Sequence, residues 1–148
     1  MLYLASDHAG YNLKEKIKNY LVSKKMKFVD VGPFKFDPND DYPDFAHQAA
    51  LQVAKSKLNK GIVICSSGIG VSIVANKVKG IRCGLVCNSA IAKQSRQHNN
   101  TNMLALGANY LTAPQALKII DLWLKTPFSQ APRRFRRIEK IAKIEKLL

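Results

Sequence analysis

The chain has 148 residues, of which 47% are hydrophobic and 8% aromatic, a composition typical of one globular domain with a sizeable core. Lysine and arginine number 24 against 10 aspartate and glutamate residues, so the formal net charge of +14 favours anionic partners such as nucleic acid, anionic lipid or phosphorylated small molecules. No apolar run approaches the length needed to cross a bilayer, which excludes a membrane-spanning role.

The first third of the chain predicts two strands, one helix and one long loop. The strands cover residues 2–5 and 28–31, and an amphipathic helix between them covers about 12–23, with Asn12 as its N-cap. Residues 32–44 form the longest irregular stretch, and a loop of this length usually covers or builds a site. The lysines of the helix, Lys14 among them, are expected on the solvated surface.

A helix with small apolar residues on its buried side leads from this loop into the stretch that organises the chain. The buried residues are Ala46, Ala49, Ala50 and Val53. The stretch 61–72, GIVICSSGIGVS, then changes at Cys65 from a run of β-branched residues to a glycine-rich turn, and a helix over 71–78 follows. At such a junction the first helical N–H groups point out of the carboxyl edge of the sheet, where an anion can bind.

The glycines alone leave two interpretations open, a tight turn without a ligand and an anion cradle. A dinucleotide fingerprint lacks its third glycine, because Ile73 follows Gly68 and Gly70 at that spacing, and Lys77 stands too far along for a P-loop. Cys65 at the end of a central strand, just before a helix N-terminus, favours a reactive thiolate. Buried cysteines are also common as small hydrophobic residues.

The second half of the chain repeats the alternation of strand and helix. A fourth strand covers 81–87, a helix capped by Ser89 runs to about Gln97, and a fifth strand over 103–106 closes at Gly107. A helix with an apolar stripe stops before Pro127, and Pro132 opens a final helix. The stripe consists of Ala116, Ile120, Trp123 and Leu124, and the final helix carries an apolar series, Ile138, Ile141, Ile144 and Leu148, and a basic side, Arg133, Arg136, Arg137 and Lys140.

This alternation predicts an α/β fold in a single domain over residues 1–148. The expected architecture is a Rossmann-like three-layer αβα sandwich with a five-stranded parallel sheet and a C-terminal helix. Ligands of such sheets lie off the carboxyl ends of the strands. If the first and third strands are neighbours, Asp7 with His8, Cys65 with Ser67, and the loop that holds Tyr42 converge there.

The cysteines and the polar site candidates also have ordinary explanations. Cys65, Cys83 and Cys87 form an odd, sparse set without a C-x-x-C pair, which indicates a reducing, cytoplasmic setting without disulfides. Cys83 and Cys87 share one face of the predicted fourth strand, where packing explains them better than a metal does. Asp7 and His8 are also typical of an ordinary loop. His98 is also typical of the C-terminal end of a helix, where it interacts favourably with the helix dipole.

Taken together, these residues resemble a known family of enzymes. The segments that carry the resemblance are Asp7-His8-Ala9-Gly10, Asp41-Tyr42-Pro43-Asp44, Ile64-Cys65-Ser66-Ser67-Gly68-Ile69-Gly70, Ala75-Asn76-Lys77, Gly80-Ile81-Arg82, Ser95-Arg96-Gln97-His98-Asn99 and the late arginine cluster. In this order they closely resemble the sugar-phosphate isomerases of the ribose-5-phosphate isomerase B and galactose-6-phosphate isomerase family, over nearly the whole chain. The chain is similar to the type with a cysteine base, because Cys65 is present and Val71 stands where a second type carries a catalytic glutamate.

The resemblance implies a role for each site residue. Cys65 would be the base for the carbon-bound proton, His98 would open the sugar ring, and Ser67, where the family commonly has threonine, would relay a proton to a substrate oxygen. The remaining residues would bind substrate. Backbone N–H groups would hold the enediolate, and these come from Ser66, Ser67, Gly68, Ile69 and Gly70. Asp7, Tyr42 and Asn99 would contact the sugar, and the phosphate would be bound by His8, Arg133 and Arg137. No metal or organic cofactor is expected.

The resemblance also implies homodimers or homotetramers whose sites are shared between subunits. Three positions depart from the family's usual pattern: Asn109 replaces a frequent arginine near the phosphate, Arg134 a frequent histidine and Asn100 a frequent aspartate. Loss of the arginine at position 109 would remove a phosphate contact and could change the preferred sugar. Arg134 or Arg136 is a candidate to replace that contact.

The expected activity is therefore the interconversion of ribose 5-phosphate and ribulose 5-phosphate through an enediolate, in the non-oxidative branch of the pentose phosphate pathway. One alternative keeps the chemistry and changes the substrate to galactose 6-phosphate or allose 6-phosphate. The other is a non-catalytic protein that binds nucleic acid or an anionic metabolite. The chain contains no recognisable nucleic-acid module and few aromatic residues placed for base stacking, so a nucleic-acid partner is not expected.

Overall fold

A computed structural model describes residues 1–147 of the chain, and these form one parallel sheet covered by helices. Its elements in order are β1 (Leu2–Ser6), α1 (His8–Ser23), β2 (Phe28–Gly32), α2 (Tyr42–Ala54), β3 (Lys60–Cys65), α3 (Ile69–Ala75), β4 (Cys83–Leu85), α4 (Ser89–Asn99), β5 (Met103–Gly107), α5 (Ala113–Lys125) and α6 (Pro132–Glu145). The strand order is β2-β1-β3-β5-β4, and every pair is parallel. The predicted fold class is confirmed, and β1 and β3 are neighbours, which is the condition for Asp7 and Cys65 to converge at one edge.

The two faces of the sheet bury two separate cores, and alternation along β3 assigns its side chains to them. Ile62 and Ile64 pack into one core with α1 and α5, whereas Val63 and Cys65 pack into the other with α2 and α3. Both faces are covered, which explains why the strand is apolar without interruption. Cys65 thus points toward the face that α2 and α3 cover.

Two helices begin earlier than the sequence pattern predicts. α1 begins at His8 and not at Asn12, because the carboxylate of Asp7 accepts a hydrogen bond from the Gly10 N–H at 2.9 Å and caps the helix. The apolar period of α1 starts only at Leu13, so its first turn carries no hydrophobic signal. α2 begins at Tyr42 with proline in its first turn, so Tyr42 is helical and the long loop ends at residue 41.

Three other boundaries in the second half also differ from the predictions. α3 covers Ile69–Ala75 and not 71–78, because Gly68 in the left-handed region starts the helix directly after the turn. β4 is only three residues long, so Cys87 lies outside it and is exposed, and packing does not explain Cys87. Cys83 is half-buried and packs against one core, and burial raises the pKa of its thiol to about 12. Asn88 and not Ser89 caps α4, by accepting the Ile91 N–H at 2.9 Å.

Lys14 is fully buried in α1, against the expectation that it faces solvent. Its ammonium donates to Asp30 Oδ1 at 2.7 Å and to the carbonyl oxygen of Pro33 at 2.6 Å. Lys18 completes the cluster from the next turn, 2.7 Å from Asp30 Oδ2. Burial lowers the pKa of Lys14, and the carboxylate of Asp30 opposes that shift. The cluster ties α1 to the start of the long loop.

α6 lies on the outside of the molecule, and none of its described residues is buried. The apolar side chains Ile141 and Ile144 are exposed, while the series member Leu148 lies outside the described residues. Glu145 accepts the Gly80 N–H at 2.6 Å, and Arg134 donates to the Gln97 carbonyl at 3.0 Å. Within residues 1–147, no helix is both long and apolar enough to span a membrane.

Candidate active site

Asp7 is fixed next to the central strand at the carboxyl edge of the sheet. Its backbone N–H donates to the Ile64 carbonyl at 3.2 Å, which extends the pairing of β1 with β3 by one residue. The side chain is buried because it caps α1 through Gly10. A Cβ at Gly10 would lie 2.7 Å from the Ile64 carbonyl oxygen, so this close approach of α1 to β3 requires glycine.

Cys65 ends β3 beside Asp7, and its sulfur is enclosed by the turn that follows. The Gly68 N–H donates to Sγ of Cys65 at 3.1 Å, and the residue is 4% exposed. Gly68 has a φ of +79°, and a Cβ there would come within 2.6 Å of Leu85 and 2.9 Å of the Leu106 backbone. The sulfur thus lies at the end of the central strand with a backbone donor directed at it.

Tyr42 and Ser67 border the open side of this turn. A Cβ at Gly70 would lie 2.6 Å from the ring of Tyr42, so the first residue of α2 packs directly over the turn. The hydroxyl oxygen of Ser67 accepts the Ile69 N–H at 3.2 Å. Among the described residues, the N–H groups of Gly70 and Val71 have no protein acceptor. The turn therefore offers donors to an anion, which is the anion-cradle interpretation of the glycines.

A second turn, which the sequence interpretation did not include, holds the first one in place. Ala108 donates to the Cys65 carbonyl at 2.9 Å, and Asn109 donates to the Ser66 carbonyl at 3.0 Å. A Cβ at Gly107 would lie 2.6 Å from the Ser67 carbonyl oxygen. The only sequence signal was Gly107 at the end of the fifth strand, because backbone contacts leave no side-chain pattern. Asn109 thus contacts the glycine-rich turn after β3 through its backbone.

His8 is held at the same edge by Asp40, a residue that the sequence interpretation missed. Asp40 Oδ1 lies 2.7 Å from Nδ1 of His8 and accepts the His8 backbone N–H at 2.8 Å. This hydrogen bond is the main cause that raises the pKa of His8, and the negative charge of Asp7 adds to it. The other oxygen, Oδ2 of Asp40, is buried without a partner among the described residues. The signal in the sequence was an acidic pair, Asp40 and Asp41, in the long loop.

His98 lies in the last turn of α4, among the arginines of α6. Burial of the imidazole, together with the positive charges of Arg134, Arg133 and Arg137, lowers its pKa. Arg133 and Arg137 are exposed, and so is Asn99, whose carbonyl accepts Nε of Arg82 at 3.1 Å. These residues form a basic group around an imidazole that is neutral near pH 7.

The sequence-predicted residues therefore fall into two groups on opposite edges of the sheet. At the carboxyl edge lie Asp7, His8, Tyr42, Cys65, Ser66, Ser67, Gly68, Ile69 and Gly70, whereas His98, Asn99, Arg133 and Arg137 lie elsewhere. α4 ends at Asn99, and three residues later the carbonyl of Asn102 accepts the Gly61 N–H at the amino edge. The rise from Gly61 to Cys65 alone is about 13 Å. Within one chain His98 does not meet Cys65.

The first group has the parts that proton transfer at carbon requires. Cys65 is a candidate base, the turn supplies donors for an oxyanion, and Asp7 and Tyr42 are polar groups beside them. Within residues 1–147, no group of three or more histidine, cysteine, aspartate or glutamate side chains is arranged to hold a metal ion.

Known proteins are similar to this chain over nearly its whole length. Residues 2–141 match the family described as Ribose/Galactose Isomerase. A relative named probable ribose-5-phosphate isomerase B, from Mycoplasma genitalium, is 45% identical over 98% of this chain and 95% of its own length. Ribose-5-phosphate isomerase B of Mycolicibacterium paratuberculosis is 41% identical over 98% of this chain and 91% of its own length.

Solved structures extend the similarity from sequence to fold. Ribose-5-phosphate isomerase B from Mycoplasma genitalium, crystallised with bound ribulose-5-phosphate, superposes with a TM-score of 0.94 at 44% identity and covers 98% of this chain and 95% of its own. The Clostridium thermocellum ribose-5-phosphate isomerase B gives a TM-score of 0.93 at 43% identity, with 98% and 97% covered. On sequence and on fold, this chain belongs to the ribose/galactose isomerase family.

Proposed function

We propose that this chain interconverts ribose 5-phosphate and ribulose 5-phosphate through an enediolate. Relatives that carry the name ribose-5-phosphate isomerase B align with nearly its whole length, and one of them was crystallised with ribulose-5-phosphate. The observation that carries the chemistry is the Gly68 N–H donating to Sγ of Cys65 beneath the open donors of the turn. That contact places the sulfur of Cys65 beside the donors that would stabilise an oxyanion.

The thiolate of Cys65 takes the proton from C2 of the open-chain aldose. The C–H electron pair forms the C1–C2 double bond, and the former carbonyl oxygen at C1 receives a proton through Ser67. Donors of the turn hold the charge of the enediolate while it exists. The Ser67 oxygen then takes the hydroxyl proton at C2, the O–H electron pair forms the new carbonyl at C2, and the electron pair of the C1–C2 double bond takes the proton back from Cys65 at C1. Atoms and electrons balance without an oxidant, in keeping with an intramolecular isomerisation.

Ring opening and phosphate binding are assigned to the second group of residues together with His8. His98, whose pKa is lowered, is a neutral base near pH 7 for the anomeric hydroxyl. Arg133 and Arg137 offer exposed guanidinium groups to the phosphate. His8 contributes a positive charge that Asp40 stabilises. Asp7, Tyr42 and Asn99 are the contacts for sugar hydroxyls.

The site is complete only in an oligomer, a homodimer or homotetramer in which one copy supplies Cys65 and another supplies His98. The separation of the two groups across the sheet supports this assignment. So does an exposed apolar surface beside the catalytic turn, formed by Ile69 and Ile73 of α3 and Leu85 of β4. A surface of this kind next to a functional site is typical of a protein interface.

Two broader assignments accompany the activity. The chain works as a single domain, because each face of the one sheet has its own continuous core. It works in the cytoplasm, which the three free cysteines support. Both assignments suit an enzyme of sugar-phosphate metabolism.

The test is the conversion of ribose 5-phosphate to ribulose 5-phosphate by purified protein treated with a chelator. We expect full activity after chelation, because Cys65 and the turn carry the chemistry without metal. Loss of activity that returns on adding a metal would contradict the metal-free mechanism. Complete lack of conversion by untreated protein would contradict the proposed function.

The six-carbon alternative has one feature in its favour. Asn109 replaces an arginine that is frequent near the phosphate in this family, and its backbone contacts the catalytic turn. Comparison of kcat/KM for ribose 5-phosphate, allose 6-phosphate and galactose 6-phosphate decides the matter. We expect the five-carbon sugar to have the largest value.

A further inference from the structure

A cavity of about 470 Å³ opens at the amino edge of the sheet, on the side opposite Cys65. It lies between the turn that precedes β3, the segment before β4 and the end of α4. Lys60, which begins β3, lines this cavity, whereas Cys65 ends the same strand about 16 Å away. The cavity is therefore separate from the catalytic turn.

The charged side chains that line this cavity are all cationic. They are Lys57, Lys60, Arg82 and Arg96. Within residues 1–147, none of the four is in ion-pair contact with a carboxylate. The negative charge of Glu145 acts on Arg82 and opposes the lowering of its pKa, but these two described side chains form no ion pair. Oε1 of Glu145 accepts the Gly80 N–H instead. The lining thus carries more positive charge than the protein neutralises.

Hydrogen bonds to the protein hold the guanidinium groups of Arg82 and Arg96 in place, and each group has a further N–H donor without an acceptor among the described residues. Arg82 donates through Nε and Nη2 to the carbonyl oxygens of Asn99 and Asn100. Arg96 donates through Nε and Nη1 to Thr126, Asn100 and Thr101. Nη1 of Arg82, Nη2 of Arg96 and Nζ of Lys60 have no acceptor among the described residues. Preorganised guanidinium donors of this kind suit phosphate.

The cations also act on one another in the absence of an anion. Burial lowers the pKa of Lys60, and the charge of Arg96 lowers it further. Burial likewise lowers the pKa of Arg96, and the charge of Arg82 adds to the effect. An anion between them would relieve this repulsion, as a salt bridge does for a half-buried charge.

We propose that this cavity is a second anion-binding site, which takes a phosphate-bearing small molecule at the edge of the sheet opposite the catalytic turn. Its volume exceeds that of one phosphate group, so an ester with an organic part or a diphosphate fills it. Lys60 and the two arginines hold the phosphate oxygens, and Lys57 stands at the exposed rim. The proposal does not depend on the proposed catalytic function.

The probe for this site is inorganic pyrophosphate, which carries the phosphate charge without a sugar. Binding is measured by isothermal titration calorimetry for the wild-type protein and for Lys60→Gln. Lys55→Gln is the matched control, because Lys55 is exposed nearby, does not line the cavity and carries the same charge. We expect Lys60→Gln to weaken binding at least about tenfold and Lys55→Gln to change it less than about twofold.

Two further measurements separate this site from the proposed active site. Arg137→Gln removes a proposed catalytic phosphate contact, and the effect of Lys60→Gln should persist in that background. Lys60→Gln should keep the wild-type isomerase turnover. Pyrophosphate binding that is equal in Lys60→Gln and the wild type, or that Arg137→Gln alone abolishes, would overturn the proposal. Absence of isomerase activity in the wild type would refute the catalytic assignment and leave the binding result readable.

Discussion

His8 and Asp40 are joined twice, because Oδ1 of Asp40 accepts the His8 backbone N–H at 2.8 Å and lies 2.7 Å from its Nδ1. A carboxylate only accepts hydrogen bonds, so Nδ1 carries a proton and Nε2 is the nitrogen left for a ligand. The pKa of His8 is raised by this hydrogen bond. The pair therefore favours the protonated form of His8 at the carboxyl edge of the sheet.

We expect Asp40→Asn to lower the pKa of His8 toward 6.5 and to raise KM about fivefold, which corresponds to about 1 kcal/mol. The pKa is measured by NMR titration of the histidine ring protons. Asp41→Asn removes the same charge one residue away, where the side chain makes no capping hydrogen bond. Equal His8 titration curves for Asp40→Asn and the wild type would refute this role of Asp40.

The two site histidines shift in opposite directions, which predicts a bell-shaped pH profile. His98 must be neutral to act as a base, so kcat/KM should rise as pH increases through its pKa, below 6.5. His8 must be protonated to bind phosphate, so kcat/KM should fall as pH increases through its pKa, above 6.5. The optimum lies between the two values.

Arg134→Gln tests the acidic limb of that profile. Removal of this charge should raise the pKa of His98 and move the limb to higher pH. Among the arginines, the charge of Arg134 lowers the pKa of His98 the most. Arg136→Gln is the control, since Arg136 lies on the same helix and is not among the charges that act on His98. An acidic limb that stays in place in Arg134→Gln would show that another group titrates there.

The burial of Lys14 predicts that its substitution lowers the free energy of unfolding. The sequence pattern had placed this residue on the solvated surface. Lys14→Met leaves the Pro33 carbonyl without its ammonium donor and removes a cation from the carboxylate of Asp30, whose Oδ1 keeps the Gly32 N–H, so the free energy of unfolding should fall by about 1–3 kcal/mol. Lys16→Met, at an exposed position of the same helix, should change it by less than about 0.5 kcal/mol. Urea denaturation followed by circular dichroism measures both. Equal midpoints for the two variants would contradict the role of the buried ammonium.

The shared site predicts complementation between two inactive variants. Cys65→Ala and His98→Asn should each be inactive alone, whereas a hybrid oligomer with both chains contains one site with both residues intact. Co-expression with two different tags and two-step purification yields that hybrid. Recovered turnover in the hybrid supports a site shared between copies, and a hybrid as inactive as its parents would place the whole site in one chain.

The sequence predicted the fold and the order of its elements because the signals were periodic. The run Ile62–Ile64 and the alternation of strands with helices needed no tertiary knowledge. The errors fall where polar groups control local structure. Asp7 caps α1 before any apolar period begins, and Lys14 is buried because Asp30 and Pro33 surround its ammonium.

Resemblance to a family predicted the candidate site residues. The structure added contacts between distant segments, which sequence motifs do not contain. Asp40 contributes through its two contacts with His8, and Gly107 through the absence of a side chain against Ser67. The separation of Cys65 from His98 also depends on strand order, which periodicity alone does not determine. Such features arise from the packing of distant segments.

Cys65 is the residue on which the proposed chemistry depends most directly. If it only filled space, Cys65→Ala would cost about 1 kcal/mol of stability and leave turnover nearly intact. If it is the base, the substitution should reduce kcat by about 10²–10⁴-fold with KM little changed, because the phosphate contacts lie elsewhere. Cys83→Ala and Cys87→Ala are controls, one for a half-buried thiol and one for an exposed thiol.

The decisive measurement is the rate of ribulose 5-phosphate formation from ribose 5-phosphate by Cys65→Ala, compared with Cys83→Ala and Cys87→Ala. The account predicts that Cys65→Ala loses nearly all turnover while it stays folded, and that both controls keep the wild-type rate. Near-normal turnover in folded Cys65→Ala would contradict the account, and the base would then have to be sought among Asp7, Asp44 and His98.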